Sequence, residues 1–340
     1  MEALARHVSR RPMPAAVVAG GDRAIRAPAI RSLARAGAPV VAVGDDASAR
    51  RVRSRDAFPV LAPDPVAAPE GFVDVLLDLA DVIARPSPLF PLDHDALDAI
   101  AAARERLGER YRYPFPSWGR VSAARDRGRQ LDCARALGIP TPRSAKAPTH
   151  ELGFPVLVKP TNAAGFRQRF GVPSFRCATR AELDDAFTST REFEPIVEEL
   201  VPNRSRSSVG SYLADDGEAL AVFLVRIADR PRRAGRRARL ELAATGDIVE
   251  QALALLRDLA LSGLAQVDFV RDRRDGVDKL AGVEPGISRW HGVAAASGID
   301  LTRVAYWDLL GARLPAASMS RARRSRTIAF TDSPRAVLVG

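Results

Sequence analysis

The residues best placed to do chemistry together lie between positions 263 and 298, in GLAQVDFVRDRRDGVDKLAGVEPGISRWHGVAAASG. Asp268 interrupts the apolar run AQVDFV, and Glu284 lies near the end of KLAGVEP. Between these runs, RDRRDG closes in Asp-Gly, a strong signal for a hairpin turn. Alternate residues of a strand share a face. Gly282 and Glu284 therefore point the same way, and strand pairing brings Asp268 close to them. Two carboxylates meeting on paired strands repel unless a positive charge sits between them. A divalent cation with oxygen ligands meets that need. The other reading is that Asp268 and Glu284 are ordinary edge-strand charges, and spacing alone leaves both open.

The elements that would position this hairpin can be followed along the chain. PAAVVAGG (14–21) reads as a short buried strand, AIRAPAIRSLARAG as a helix ending at Gly37, and PVVAVG (39–44) as a second strand. A β-α-β start implies a parallel sheet. The GxGxxG fingerprint is absent at Gly20–Gly21, which argues against a dinucleotide site. FVDVLLDLADVIA (72–84) is apolar without a clear period, whereas DALDAIAAARERLG carries a helical stripe that Asp93 can cap. YPFPSWG (113–119) marks a domain boundary. SAARDRGRQLDCARALG (122–138) reads as one helix closed by Gly138, and FPVLVKP (154–160) as a strand that delivers Lys159 at its end. Thr179 and Glu182 form a capping box, and Asp247 with Glu250 reads as a second one. Residues 208–230 are a hairpin about Asp-Asp-Gly, and the tail contains strand-like TIAF and AVLVG.

The length of 340 residues suits two or three domains, and 46% hydrophobic with 27% charged residues is ordinary for a folded protein. The net charge of +10 comes mainly from scattered arginine. Without interleaved aromatics it reads as solvated faces rather than a nucleic-acid surface. The two cysteines, Cys133 and Cys177, form no CxxC, and the four histidines show no ligand spacing. No stretch approaches the roughly 18 apolar residues that span a membrane. A cytoplasmic protein is expected.

The metal-type hairpin, FPVLVKP at 154–160 and IVEELVP at 196–202 together resemble the ATP-grasp superfamily. Within it, the resemblance is to the carboxylate–amine ligase and D-aspartate ligase group, and it is colinear over about residues 14–312. It implies an α/β protein: a Rossmann-like pre-ATP-grasp domain (1–115), then a two-lobed α+β ATP-grasp domain (N-lobe 116–197, C-lobe 198–314), with a basic tail (315–340). The implied cofactors are ATP and Mg2+, with Mn2+ as an alternative. The implied partners are a small-molecule carboxylate and an amine. Many members are dimers, so a homodimer is among the expected states.

Carried over position by position, the resemblance gives Lys159 to the nucleotide phosphates. Gly165 and Arg167 fall in the phosphate-covering loop, where glycine permits close backbone approach and arginine pairs with phosphate. Glu198, Glu199 and Val201 fall in the hinge that seats adenine, where an acid receives the exocyclic amine. Arg127 stands near the family's early helical lysine. Asp93 or His94 occupies a polar position before a helix. Asp268 and Glu284 are the metal ligands, and Arg226 steadies developing charge. The family's E-x-N-P-R strand, however, reads Gly282-Val283-Glu284-Pro285-Gly286 here. Glu284 and Arg289 are the candidates to replace the missing glutamate and arginine. Two functions follow: an ATP-dependent ligase working through an acyl phosphate, or a catalytically degenerate nucleotide-binding protein in a regulatory role.

Overall fold

The computed structural model describes residues 2–45, 56–149, 151–162, 165–228, 238–243, 246–312, 328–330 and 337–338. Three sheets organise them. The first is five-stranded and parallel, in the order β3-β2-β1-β4-β5. Its strands are β1 (Ala16–Ala19), β2 (Val40–Gly44), β3 (Ala57–Leu61), β4 (Ser87–Pro91) and β5 (Tyr111–Arg112). The helices α1 (Glu2–Ser9), α2 (Arg23–Arg35), α3 (Pro69–Ile83), α4 (His94–Ala102) and the short α5 (Arg104–Leu107) accompany it. All of β1 and β2 is buried, as expected of strands covered on both faces. Val17, Val41 and Val43 pack toward α3 and α4, while Val18, Val40 and Ala42 pack toward α2. The unassigned segment 72–84 is the body of α3, with Phe72, Val73, Leu76, Leu79 and Ile83 on its buried side.

The expected helix over 122–138 is two helices, α6 (Trp118–Arg125) and α7 (Arg127–Ala136). Asp126 breaks them by leaving helical geometry and accepting from the Arg129 N–H at 2.8 Å, an N-cap that starts α7 afresh. Arg125 and Arg127 thereby leave on different helices.

The second sheet is β6 (Ser144–Ala145), β9 (Ile196–Glu199), β7 (Val156–Lys159) and β8 (Phe175–Cys177), in that spatial order. Leu152, Val156, Val158 and Val197 pack with Leu183 of α9 (Arg180–Ser189). Thr179 caps α9 by accepting from the Glu182 N–H at 3.2 Å, as the capping box requires. Between β7 and β8 lies the short helix α8 (Phe166–Phe170).

The third sheet runs β14-β13-β10-β11-β12-β15-β16. Its strands are β10 (Asn203–Leu213), β11 (Ala219–Ala228), β12 (Ala238–Ala243), β13 (Gly263–Asp272), β14 (Asp278–Pro285), β15 (Ile328–Phe330) and β16 (Val337–Leu338). The tail segments thus extend this sheet. α10 (Asp247–Asp258) covers one face through Leu255, Leu256 and Ala252 against Val209, Val267 and Phe269. Asp247 is the first residue of α10 rather than its cap; Gly246 holds that place. Part of the opposite face meets α12 (Leu301–Leu309), and Tyr306, Leu301, Tyr212 and Phe223 join the core around α2. The preceding helix α11 (His291–Ala296) packs so closely on α2 that a Cβ at Gly292 would lie 2.7 Å from Pro28. The entry to β13 is as tight: Gly263, at φ +83°, would press a Cβ to 2.2 Å from the Pro114 carbonyl oxygen. Among the described residues, no helix is long and apolar enough to cross a membrane.

Candidate functional site

The hairpin forms as its sequence predicts. Asp268 of β13 lies opposite Gly282 of β14, and Gln266 lies opposite Glu284. A bulge between these pairs and Phe269–Leu280 lets Leu280 and Val283 both face the core while Gly282 and Glu284 keep to the other side. On that side stand Arg206 and Ser208 of β10, because Ser208 lies opposite Asp268. Asp268 Oδ1 accepts from the Ser208 hydroxyl at 2.5 Å and from Gln266 Nε2 at 3.0 Å, and Oδ2 accepts from Gln266 Nε2 at 2.9 Å. Ser288 donates to Gln266 Oε1 at 2.5 Å and so fixes the loop after β14 to the same chain of bonds. Burial pushes the Asp268 carboxyl above its usual range, against the pull of these bonds and of Arg206 and Arg289.

Across from this face, β7 ends on Lys159, whose Nζ donates to Glu198 Oε2 at 3.0 Å. Arg127 grips the same carboxylate at 2.6 Å and 3.0 Å, and also donates to the Leu280 carbonyl at 3.2 Å. Burial alone would raise Glu198, but Arg127 and then Lys159 outweigh it and hold the carboxyl at about 2. Burial and the Arg127 charge push the Lys159 ammonium down, opposed by Glu198, with Arg206 adding to the downward push. Arg206 therefore acts on both Lys159 and Asp268, which joins the two sheets into one site.

Glu199 points to a different cluster. It accepts from Arg143, Arg274 and Lys279, and the last two also serve Asp272. Burial is again outweighed, and Glu199 is held at about 2. Asp272 is likewise depressed, first by Arg274. This cluster ties the end of β9 to the hairpin turn.

The structure corrects several expectations. The carboxylates of Glu198 and Glu199 are saturated by arginine and lysine, so neither stands open to an exocyclic amine. Val201, in the same segment, is buried. Arg127 is held on Glu198 and Leu280 rather than directed at an anion. Arg226 lies opposite Ser207, and strand alternation puts it with Val222 and Leu224 on the α10 side. Asp268 faces the other way, so Arg226 is not part of its surroundings. Asp93 caps α4 at Ala96 and accepts from the Gly21 N–H at 2.5 Å, a scaffold role. Gly165 and Arg167 bound and begin α8, which is anchored by buried Phe166 among Phe170, Phe175 and Phe193. Arg289 is exposed, lies over the Trp290 ring and is near enough to act on Asp268.

The metal expectation is met least well. Among the described residues, no group of three or more His, Cys, Asp or Glu could hold a metal ion. Asp268 has its partners Ser208 and Gln266, and Glu284 Oε2 lies 3.3 Å from His94 Nε2. A Cβ built at Gly282 meets no heavy atom within 4 Å, so the place of the family's glutamate is open space. The donor set does not fit the paired-carboxylate site that the resemblance implied. Sequence reasoning missed Arg206, Ser208, Gln266 and Ser288. Two-residue alternation back from the 208–230 hairpin groups Arg206 with Ser208, but their pairing with β13 joins segments about 60 residues apart.

No family model matches the chain, and no curated protein matches it. Solved structures do. The chain is similar to an L-amino acid ligase from Bacillus licheniformis, at TM-score 0.68 and 17% identity over 94% of this chain and 79% of that one. It is also similar to a biotin carboxylase from Campylobacter jejuni, solved as a β,γ-ATP complex, at 0.67 and 16% over 88% and 72%. A third is the biotin carboxylase domain dimer of the Hydrogenobacter thermophilus 2-oxoglutarate carboxylase, solved with MgADP, ADP and bicarbonate, at 0.66 and 16% over 89% and 71%. These likenesses establish the fold alone, which is the ATP-grasp fold.

Proposed function

We propose that the protein is an ATP-dependent carboxylate–amine ligase. The observation that carries this reading is the group of cations that links the second and third sheets. Arg206 acts on Lys159 of the second sheet, and Arg206 and Arg289 both act on Asp268 of the third. Glu198 fixes the position of Lys159 and leaves its other two N–H donors for an anion. The β9 backbone through Val201 would seat the base. Lys159 and Arg206 would hold the phosphates. A substrate carboxylate would attack the γ-phosphorus, forming an acyl phosphate and releasing ADP; an amine would then displace phosphate as the amide bond forms. Charge neutralisation and positioning supply most of the catalysis in phosphoryl transfer, and this chain supplies them through cations. Bound Mg2+ contributes charge neutralisation in such reactions, but the donors present do not fit a two-metal site.

Incubation of ATP with paired acids and amines tests the reading. ADP release that requires both partners is the expected result. Nucleotide binding without turnover under any pair would instead favour a regulatory protein on this fold, a reading supported by the open Gly282 position.

A further inference from the structure

We infer that Glu284 is not a metal donor but a latch between the cleft and the N-terminal domain, set by His94 and Arg125. His94 begins α4, and Asp98 follows one turn later on the same side of that helix. Both hold Arg125 of α6: Arg125 Nη1 pairs with Asp98, and Nη2 lies 3.0 Å from His94 Nδ1. A guanidinium can only donate, so Nδ1 accepts and the imidazole proton resides on Nε2. Nε2 lies within ion-pair distance of Glu284 Oε2, at 3.3 Å. The neighbouring loop follows the same path, since a Cβ at Gly286 would lie 3.6 Å from Leu97 of α4. Glu284 and its loop thus lean on α4. A cation arriving with a nucleotide meets one protein carboxylate, Asp268, and the latch ties the end of β14 to α4 without metal.

The inference rests on the nucleotide reading above, and the test separates the two. ADP affinity is measured by calorimetry with and without Mn2+ for the wild type, Asp268→Asn and Glu284→Gln. Wild type is expected to bind ADP at least tenfold more tightly with Mn2+. Asp268→Asn should lose that gain, and Glu284→Gln should keep it within twofold. Loss of the gain in Glu284→Gln would make Glu284 a ligand and overturn the inference; no gain in wild type would overturn the assignment to Asp268. Absence of ADP binding by wild type would sink the nucleotide reading itself. The latch has a ligand-free readout: nitrogen NMR of the histidine-labelled protein should show His94 protonated on Nε2, with its signal moved in Glu284→Gln. A His94 protonated on Nδ1, or indifferent to Glu284, would overturn the latch whatever the nucleotide does.

Discussion

Two carboxylate pairs, on the second and third sheets of this protein, lead opposite lives. Glu198 and Glu199, adjacent on β9, are almost fully buried and closed in by Arg127, Lys159, Arg143, Arg274 and Lys279. Asp268 and Glu284, on paired strands, have few partners, and Glu284 is about half exposed. The charges are the same; the supply of cations differs. Buried acids must bring their counter-ions with them, since an unpaired buried charge is costly. Acids left short of cations at a cleft are where an incoming positive group, or a cation-bearing ligand, finds a partner. The β9 pair therefore reads as framework, and Asp268 as the acid open to chemistry.

Replacement is the severest test of that contrast. Glu198→Ala strands Arg127 and Lys159, and should cost about 3–5 kcal/mol of stability in denaturant unfolding. Glu284→Ala at the exposed pair should cost less than about 1 kcal/mol. Equal losses would erase the distinction.

Acid gives a second test. Glu198 and Glu199 have folded-state values depressed to about 2 from 4.5. Their contribution is present above pH 4.5 and lost as pH falls toward 2, on the order of 3 kcal/mol for each. Buried His291, whose Nε2 meets the Ile25 carbonyl at 3.0 Å, adds an earlier step. Burial lowers it from 6.5 to about 4, so the unfolded chain takes the proton first and stability falls between pH 6.5 and 4. Melting temperature against pH should show both limbs; a flat profile from pH 6.5 to 4 would contradict the neutral seam at α2.

Cleft variants sharpen the comparison at smaller magnitude. Arg206→Ala should weaken ADP binding about tenfold, near 1.4 kcal/mol, with little effect on folding. Arg226→Ala, on the opposite face, should leave ADP affinity within twofold. Reversal of these two in calorimetry would mean that the sheet faces have been assigned the wrong way round. Gly282→Glu fits the open space and is expected to strengthen the Mn2+ dependence of ADP binding while leaving the melting temperature nearly unchanged.

The sequence by itself determined the local chemistry. Period-two patterns and Asp-Gly marked the hairpin, βαβ punctuation marked the parallel sheet, and the order of motifs marked the ATP-grasp fold. These signals lie within a few residues of one another, where propensity and turn geometry act. It also put Lys159 at the end of its strand and Asp268 beside Gly282. Only the tertiary structure decided which acids are closed and which are open. Glu198 finds Arg127 across 71 residues, Asp268 finds Ser208 across 60, and Arg226 is turned away by the register of β11 on β10. His94 meets Glu284 because α4 packs beside the end of β14. A one-residue change of register reverses a strand's faces, so charge type and spacing name the candidates, but the packing of distant segments chooses among them.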